Sequence, residues 1–356
     1  MNFELTEERQ MLQDTLRRYL REKYTTAVRN DILTSDAGLS ADIWAELAEL
    51  GVLGALFTEE MGGFGGAGFD LAVVFEELGR AGVVEPVLDS ALMGGRLLAA
   101  AGKSDMVEQV IAGTLHLAVA HGEPGGRYDM DYVHTKADGG VLTGRKAVVM
   151  NAEAADHLIV SARDGDAIAL YLVAKDAKGV DIQGYPLLAG GRAGEVTFDN
   201  TPAEPLGLSL SDLQAATNLA LVAISAEALG AMESATHLTK DYLMTRTQFG
   251  RPIGTFQALA HRMADLLIEL EQARSAVINA AGYLEAPDAD LHLSATKNLI
   301  GRIGRLVAEE SIQMHGGIAM TQEYELAHIA KRIVMADHRF GDTDYHLERF
   351  IALSAA

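Results

Sequence analysis

The spacing of apolar positions changes twice along the chain. Through the first third it is helical. Thr6 stands where an N-cap belongs, followed by Glu7 and Glu8 in the turn where a helix dipole favours acids. Ser40–Gly51 (SADIWAELAELG) reads as a second helix closed by Gly51. Phe69–Gly79 reads as a third, with Leu71, Val74, Phe75 and Leu78 on one face. From about Leu115 the period shortens to two. Leu115, Leu117 and Val119 alternate, as do Ile168, Leu170 and Leu172, and Val141–Met150, His157–Ala162 and Glu195–Phe198 are further strand candidates between Gly and Asp turns. Beyond Pro205 the 3.6 period returns in a continuous stripe, Leu259, Met263, Leu266, Leu267, Leu270, Ala273 and Val277. Gly301 and Gly304 in the next long helix leave room for close helix contact.

This order predicts an α+β, mainly α chain: an N-terminal helical domain over 1–112, a middle antiparallel β domain over 113–205 and a C-terminal four-helix bundle over 206–356. A G-x-G-x-x-G at Gly63, Gly65 and Gly68 is read as a structural turn. A dinucleotide fingerprint needs a strand before it, and a helix and short loop precede this one.

Composition narrows the function. At 356 residues the chain has room for two or three domains. No apolar run approaches the ~20 residues of a membrane span, and the start, MNFELTEERQ, lacks the basic-then-apolar order of a signal peptide. The absence of cysteine excludes disulfides, thiolate metal ligands and a thiol nucleophile, and fits a reducing cytoplasm. No metal site is expected. A formal charge of −21 argues against nucleic-acid binding, and an anionic substrate would need a local basic patch to hold it.

Two segments about 55 residues apart carry the chemistry: Thr245–Gln257 (TRTQFGRPIGTFQ) and Gln313–Gly317 (QMHGG). Together they resemble the flavin-binding signature of the acyl-CoA dehydrogenase family. WAELAELGVLGALFTEEMGGFGG, VVFEELGRAG and LTGRKAVVMNAEAADHLIVSAR extend the likeness over nearly the whole chain. The resemblance implies an N-terminal helical domain, a middle β-barrel and a C-terminal bundle. It implies FAD as cofactor, an acyl-CoA thioester as substrate and an electron-transferring flavoprotein as electron acceptor. Arg246 and Gln257, with Gln313, Gly316 and Gly317, match positions that reach the ADP part of FAD, and Thr343 matches a further cofactor position. The residue types suit that role: a guanidinium offers fixed donors to a pyrophosphate, and glycines let backbone amides approach an anion.

The departures are as specific as the matches. Where the family reads Tyr-Glu-Gly-Thr, this chain reads Phe340-Gly341-Asp342-Thr343, so Gly341 stands at the usual carboxylate base. The family's second base position holds Thr247. The flavin-facing aromatic and hydroxyl of Lys-x-Trp-Ile-Thr are replaced in Lys146-Ala147-Val148-Val149-Met150, and Gly122–Tyr128 lacks the usual polar residues near the thioester. Asp342 is the candidate replacement base, with a turn or N-cap role as the alternative. In family dimers the retained segments serve mainly the neighbour's flavin, whereas the lost groups serve the subunit's own. The chain thus resembles the small subunits of heteromeric dehydrogenases acting on pimeloyl-type or steroid side-chain CoA esters. The expected assembly is a homodimer or homotetramer, or a heterotetramer with a related Glu-bearing subunit. Three functions stay open: a dehydrogenase with a non-standard base, a non-catalytic subunit completing a partner's FAD site, or an offshoot with other flavin chemistry.

Overall fold

A computed structural model describes residues 5–355; positions 1–4 and 356, the outer ends of the expected first and third domains, lie outside the described residues. Helices come first: α1 (Glu7–Lys23), α2 (Thr26–Thr34), α3 (Ala41–Glu49), α4 (Gly68–Ala81), α5 (Gly95–Ala100) and α6 (Ser104–Ile111). Eight strands follow: β1 (Leu117–Ala120), β2 (Lys136–Asp138), β3 (Val141–Met150), β4 (His157–Asp164), β5 (Ala167–Ala174), β6 (Val180–Pro186), β7 (Arg192–Pro202) and β8 (Glu204–Ser209). The chain then runs through α7 (Leu210–Thr245), a hairpin of β9 (Thr247–Gln248) and β10 (Arg251–Pro252), α8 (Gln257–Tyr283), α9 (Ala289–His315), α10 (Glu325–Asp337) and α11 (Thr343–Ser354).

The local signals behave as their chemistry requires. Thr6 caps α1 by accepting from the Arg9 amide at 3.3 Å, and Ser40 caps α3 by accepting from the Ile43 amide at 3.3 Å. Gly51 turns the chain after α3 at φ 79°. The glycine-rich stretch is structural: a Cβ on Gly63 or Gly65 would run into the backbone carbonyls of Gly54, Ala55 or Phe57. An element without a periodic signature is the buried π-helical turn Val87–Gly94, which runs into α5.

By packing, the chain forms two compact units that interleave in sequence. One comprises Arg29–Ala67 and Val84–Ala220 and contains the sheet. Its hydrogen-bonded path runs β6-β7-β3-β2-β4-β5-β8. Most pairs are antiparallel, as expected, but β1 lies parallel to β4 (Leu117 opposite His157) and β2 meets β4 in parallel at one residue pair. Alternation reports which face is buried and is silent on strand direction, so the parallel pairs had no signature. Leu142, Val149, Leu158, Val160, Val196 and Phe198 form the sheet's core.

The other unit comprises the chain up to Val28, Gly68–Val83 and everything from Leu221 onward. Among the described residues five helices follow the sheet and carry the expected C-terminal bundle, with α9 packed against α8, α10 and α11. Within this unit α4 and α7 touch backbone to backbone. A Cβ on Gly79 would meet the Glu227 carbonyl, and one on Gly230 the Glu76 carbonyl. Ion pairs tie α4 to α1 and α7, including Arg17 of α1 with the buried Glu77 at 2.5 Å and Arg80 with Glu233 of α7. α7 departs from the expectation that no run approaches membrane length: by length and composition it is long and apolar enough to cross a membrane. Most of it is buried inside the protein, as in the core helix of a bundle.

Candidate functional site

The segment Arg246–Gln257 leaves α7 as a tight hairpin with Phe249 and Gly250 both at positive φ, 54° and 78°. Phe249 is 90% exposed. The Arg246 side chain is exposed and makes no ion pair among the described residues, while its carbonyl accepts from the Ile253 amide at 2.9 Å. Gln257 opens α8, its amide 3.3 Å from His261. The second segment ends α9. Gln313 is exposed, and Gly316 adopts φ 71°, ψ −153°, a region essentially restricted to glycine. A Cβ at either Gly316 or Gly317 would meet nothing within 4 Å, so the backbone there faces open space.

The turn between α10 and α11 holds Phe340, Gly341, Asp342 and Thr343, and it is tied down from two helices. The buried Lys297 of α9 donates to the carbonyls of Asp337 and Gly341, both at 2.7 Å. His346 of α11 donates from Nε2 to the Phe340 carbonyl at 2.9 Å. Asp342 is the N-cap of α11, its Oδ1 accepting from the Tyr345 amide at 2.9 Å. The Thr343 hydroxyl donates to Asp337 at 3.0 Å, and its carbonyl accepts from Asn298. Gly341 is buried at φ 107° with no room for a side chain. Lys297 and Gln313 lie 16 residues apart on α9, so the turn and the Gln313–Gly317 segment sit about 24 Å apart along the helix.

In the sheet unit, Lys146 and Glu123 join the two segments that depart from the family pattern. Lys146 is fully buried, and its ammonium uses all three donors: Glu123 at 2.8 Å, Ser161 Oγ at 3.0 Å and the His121 carbonyl at 3.0 Å. Ser161 therefore accepts from the lysine and gives its own hydrogen to His121 Nδ1 at 2.9 Å. Burial pushes Lys146 down to about 8 against the pull of Glu123. Burial would push Glu123 up, but hydrogen bonds from Lys146 and from the Thr135 and His134 amides outweigh it and hold the carboxyl at about 2. Both remain ionised at neutral pH. Beyond Lys146 the strand bulges, and Val148 sits exposed at φ 53°, a strained conformation for a β-branched residue.

Acid stability follows from these groups. Burial lowers His346 to about 4, helped by Lys297 and opposed by the Phe340 carbonyl, and lowers His121 to about 4, helped by Lys146. A histidine depressed in the folded state leaves stability intact above its unfolded value near 6.5. That stability is lost as the pH falls from there toward 4. Glu123 adds a loss between 4.5 and 2. The melting temperature is expected to fall steadily below pH 6.5, by on the order of 3 kcal/mol of stability for His346 alone. His346→Gln should flatten part of that slope in melts run from pH 7 to 4; an unchanged slope would remove His346 from the account.

The sequence singles out Arg246, Gln257, Gln313, Gly316, Gly317, Asp342 and Thr343 as candidates, and the structure places the first five on helix ends or turns open to solvent. It passed over Lys297 and His315. Lys297 carried a signal: a lysine in line with Leu293, Ile300 and Gly304 on the buried face of α9.

Helices before and after a central sheet define the class of fold. The sequence model of the acyl-CoA dehydrogenase N-terminal domain matches residues 6–116, and that of the C-terminal domain matches residues 211–352. The chain belongs to the acyl-CoA dehydrogenase family. It is 32% identical over 335 residues to the acyl-CoA dehydrogenase IpdE2 of Mycobacterium tuberculosis, covering 92% of this chain and 91% of that protein. It is 31% identical to the benzylmalonyl-CoA dehydrogenase of Aromatoleum aromaticum over 79% of this chain and 80% of that one. A solved structure titled Tcur3481-Tcur3483 steroid ACAD G363A variant superposes with a TM-score of 0.90 at 31% identity, covering 98% of each chain.

FAD is the cofactor of this family. The residues at the ends of α7 and α9 fit the anionic part of such a group: an exposed guanidinium without an ion pair and a glycine turn open to solvent. The Val148 bulge offers neither an aromatic ring nor a hydroxyl.

Proposed function

We propose that this chain is the non-catalytic subunit of a heteromeric acyl-CoA dehydrogenase, lending Arg246, Gln257 and the Gln313–Gly317 turn to a FAD held by a related, Glu-bearing subunit. The observation that carries this is the α10–α11 turn: Gly341 has no room for a side chain, and the carboxylate beside it, Asp342, is spent on capping α11. FAD, when bound, supplies the hydride acceptor for the β-hydrogen of an acyl-CoA. The Arg246 guanidinium binds the pyrophosphate, and the Gly316–Gly317 backbone adds donors beside it. The α-proton is taken by the partner's carboxylate. A steroid-type acyl-CoA is the favoured substrate, because the 31% identical solved relative Tcur3481-Tcur3483 is described as a steroid ACAD. Electrons pass to an electron-transferring flavoprotein, and the complex works in the cytoplasm. The apolar groove on α8 and α9, with Leu267 45% and Ile268 61% exposed, is the face for association.

The test is direct. The protein purified alone should show no bleaching of flavin absorbance by acyl-CoA under anaerobic conditions, and activity should require a Glu-bearing relative. Robust oxidation by this chain alone, abolished by Asp342→Asn, would establish the rival reading in which Asp342 is the base. Arg246→Ala should weaken FAD retention by the assembled oligomer by about 1.5–3 kcal/mol, or roughly tenfold to more than a hundredfold in affinity. Unchanged flavin occupancy would remove Arg246 from the site.

A further inference from the structure

The ends of α7 and α9 are joined by three rings. Tyr242 lies one turn before Arg246, and its carbonyl accepts from the Arg246 amide at 2.8 Å. Its ring stacks on His315, with centroids 4.5 Å apart and planes inclined by 25°. His315 directly precedes Gly316. Its Nδ1 meets the Ser311 carbonyl at 2.8 Å, and since a carbonyl only accepts, Nδ1 carries the hydrogen. Nε2 is then the acceptor for the Tyr324 hydroxyl at 3.1 Å. The ring, 5% exposed, is thus held by α7 on one face, by its own helix at one nitrogen and by the start of α10 at the other. Burial lowers its pKa and keeps it neutral.

The glycine turn after His315 depends on that immobilisation. Gly316 takes a conformation that only glycine adopts readily, so the direction of the Gly316 and Gly317 amides is set by the last rigid residue before them. The guanidinium of Arg246 is set by the end of α7. Two donors from different helices serve one anion only if their separation is fixed, and an error of ~1 Å can cost about a hundredfold in function.

We propose that Tyr242, His315 and Tyr324 form an aromatic clamp that fixes Arg246 and the Gly316–Gly317 turn relative to each other, making them positioning residues for the pyrophosphate of FAD. This rests on the reading that those two segments hold FAD. The clamp couples the segments, so loosening it at one end loosens the other. Tyr242→Phe keeps the ring and leaves the clamp intact.

The experiment uses the purified full-length protein and two readouts. Amide hydrogen exchange follows the protected N–H groups of Arg246, Ile253 and Gly316 in this protein alone, and FAD itself is titrated by fluorescence quenching into the complex assembled with a Glu-bearing relative. His315→Leu is expected to raise exchange tenfold or more at all three amides and to weaken FAD binding at least tenfold. Tyr242→Leu should do the same, Tyr324→Phe less, and the His315→Leu, Tyr242→Leu pair no more than either alone. Tyr242→Phe should stay within twofold of the parent on both readouts. If exchange rises only in the mutated segment, the clamp is refuted whatever happens to FAD. If exchange rises at both segments together while FAD binding by the assembled complex does not change, the clamp stands and the assignment of these segments to FAD falls.

Discussion

Gly341→Glu, which places a carboxylate where the resemblance puts the family's base, is expected to lower the melting midpoint by several degrees and to create no acyl-CoA oxidation. A Cβ at this position would stand 2.6 Å from Nε2 of His346, the atom that donates to the Phe340 carbonyl, and would overlap the Tyr345 ring. The backbone cannot move aside easily, because Lys297 holds the carbonyls on either side of the turn. Two costs add. A side chain at φ 107° costs about 1–3 kcal/mol, and overpacking a filled site typically costs about 1–3 kcal/mol more. Gly207→Ala separates them: its φ is 70°, but nothing lies within 4 Å of a Cβ, so only the backbone cost applies. Thermal melts of the three proteins check the ranking. A Gly341→Glu protein that melts with the parent, or whose flavin is bleached by acyl-CoA, would show that the turn is adaptable after all.

Lys146→Met should be the most damaging substitution in the sheet unit, at about 3–5 kcal/mol, because it strands a buried carboxylate. Glu123 would keep only the His134 and Thr135 amides as donors, at 2.7 and 2.9 Å, and the His121 carbonyl and Ser161 would lose their shared partner. Adding Glu123→Gln should recover part of the loss, since a neutral amide is cheaper to bury than an unpaired charge. Denaturant unfolding at pH 7 and pH 4 gives a second check. In Lys146→Met the unpaired carboxyl protonates more readily, so the deficit against the parent should shrink in acid. A deficit that is equal at both pH values would mean that lost packing, not the stranded charge, dominates.

The parts of the molecule that were legible in its sequence are those fixed by near neighbours. Thr6 and Ser40 cap helices because a side-chain oxygen reaches an amide three residues on, and the α8 stripe needs only the helical period. The glycine-rich turn was legible from the element before it. Parallel pairing of β1 with β4, by contrast, joins residues 40 apart and leaves no mark on alternation. The packing of α1 and α4 with the C-terminal helices depends on backbone contact at Gly79 and Gly230, which any helix-tolerant glycine would imitate in a sequence. Motif spacing singled out Arg246 and the Gln313–Gly317 turn as site candidates. It left Asp342 open between a base and a cap, and it could not tell that Gly341 sits at positive φ. The cap and the positive φ are both properties of a turn held by Lys297 from 44 residues away.

The interleaving of the two units sets an order of events during synthesis. Every residue of the sheet unit has been made once Ala220 has left the ribosome, and that unit can then close its core. α1 and α4 are made before the sheet, yet the rest of their unit begins only at Leu221, within α7. While the residues from Gly82 to Ala220 are made, the apolar face of α4, with Leu71, Val74, Phe75 and Leu78, has no permanent neighbour in its own unit beyond α1. At elongation rates of about 5–20 residues per second, that exposure lasts on the order of ten seconds, a window in which a chaperone or misassociation competes for the nascent chain.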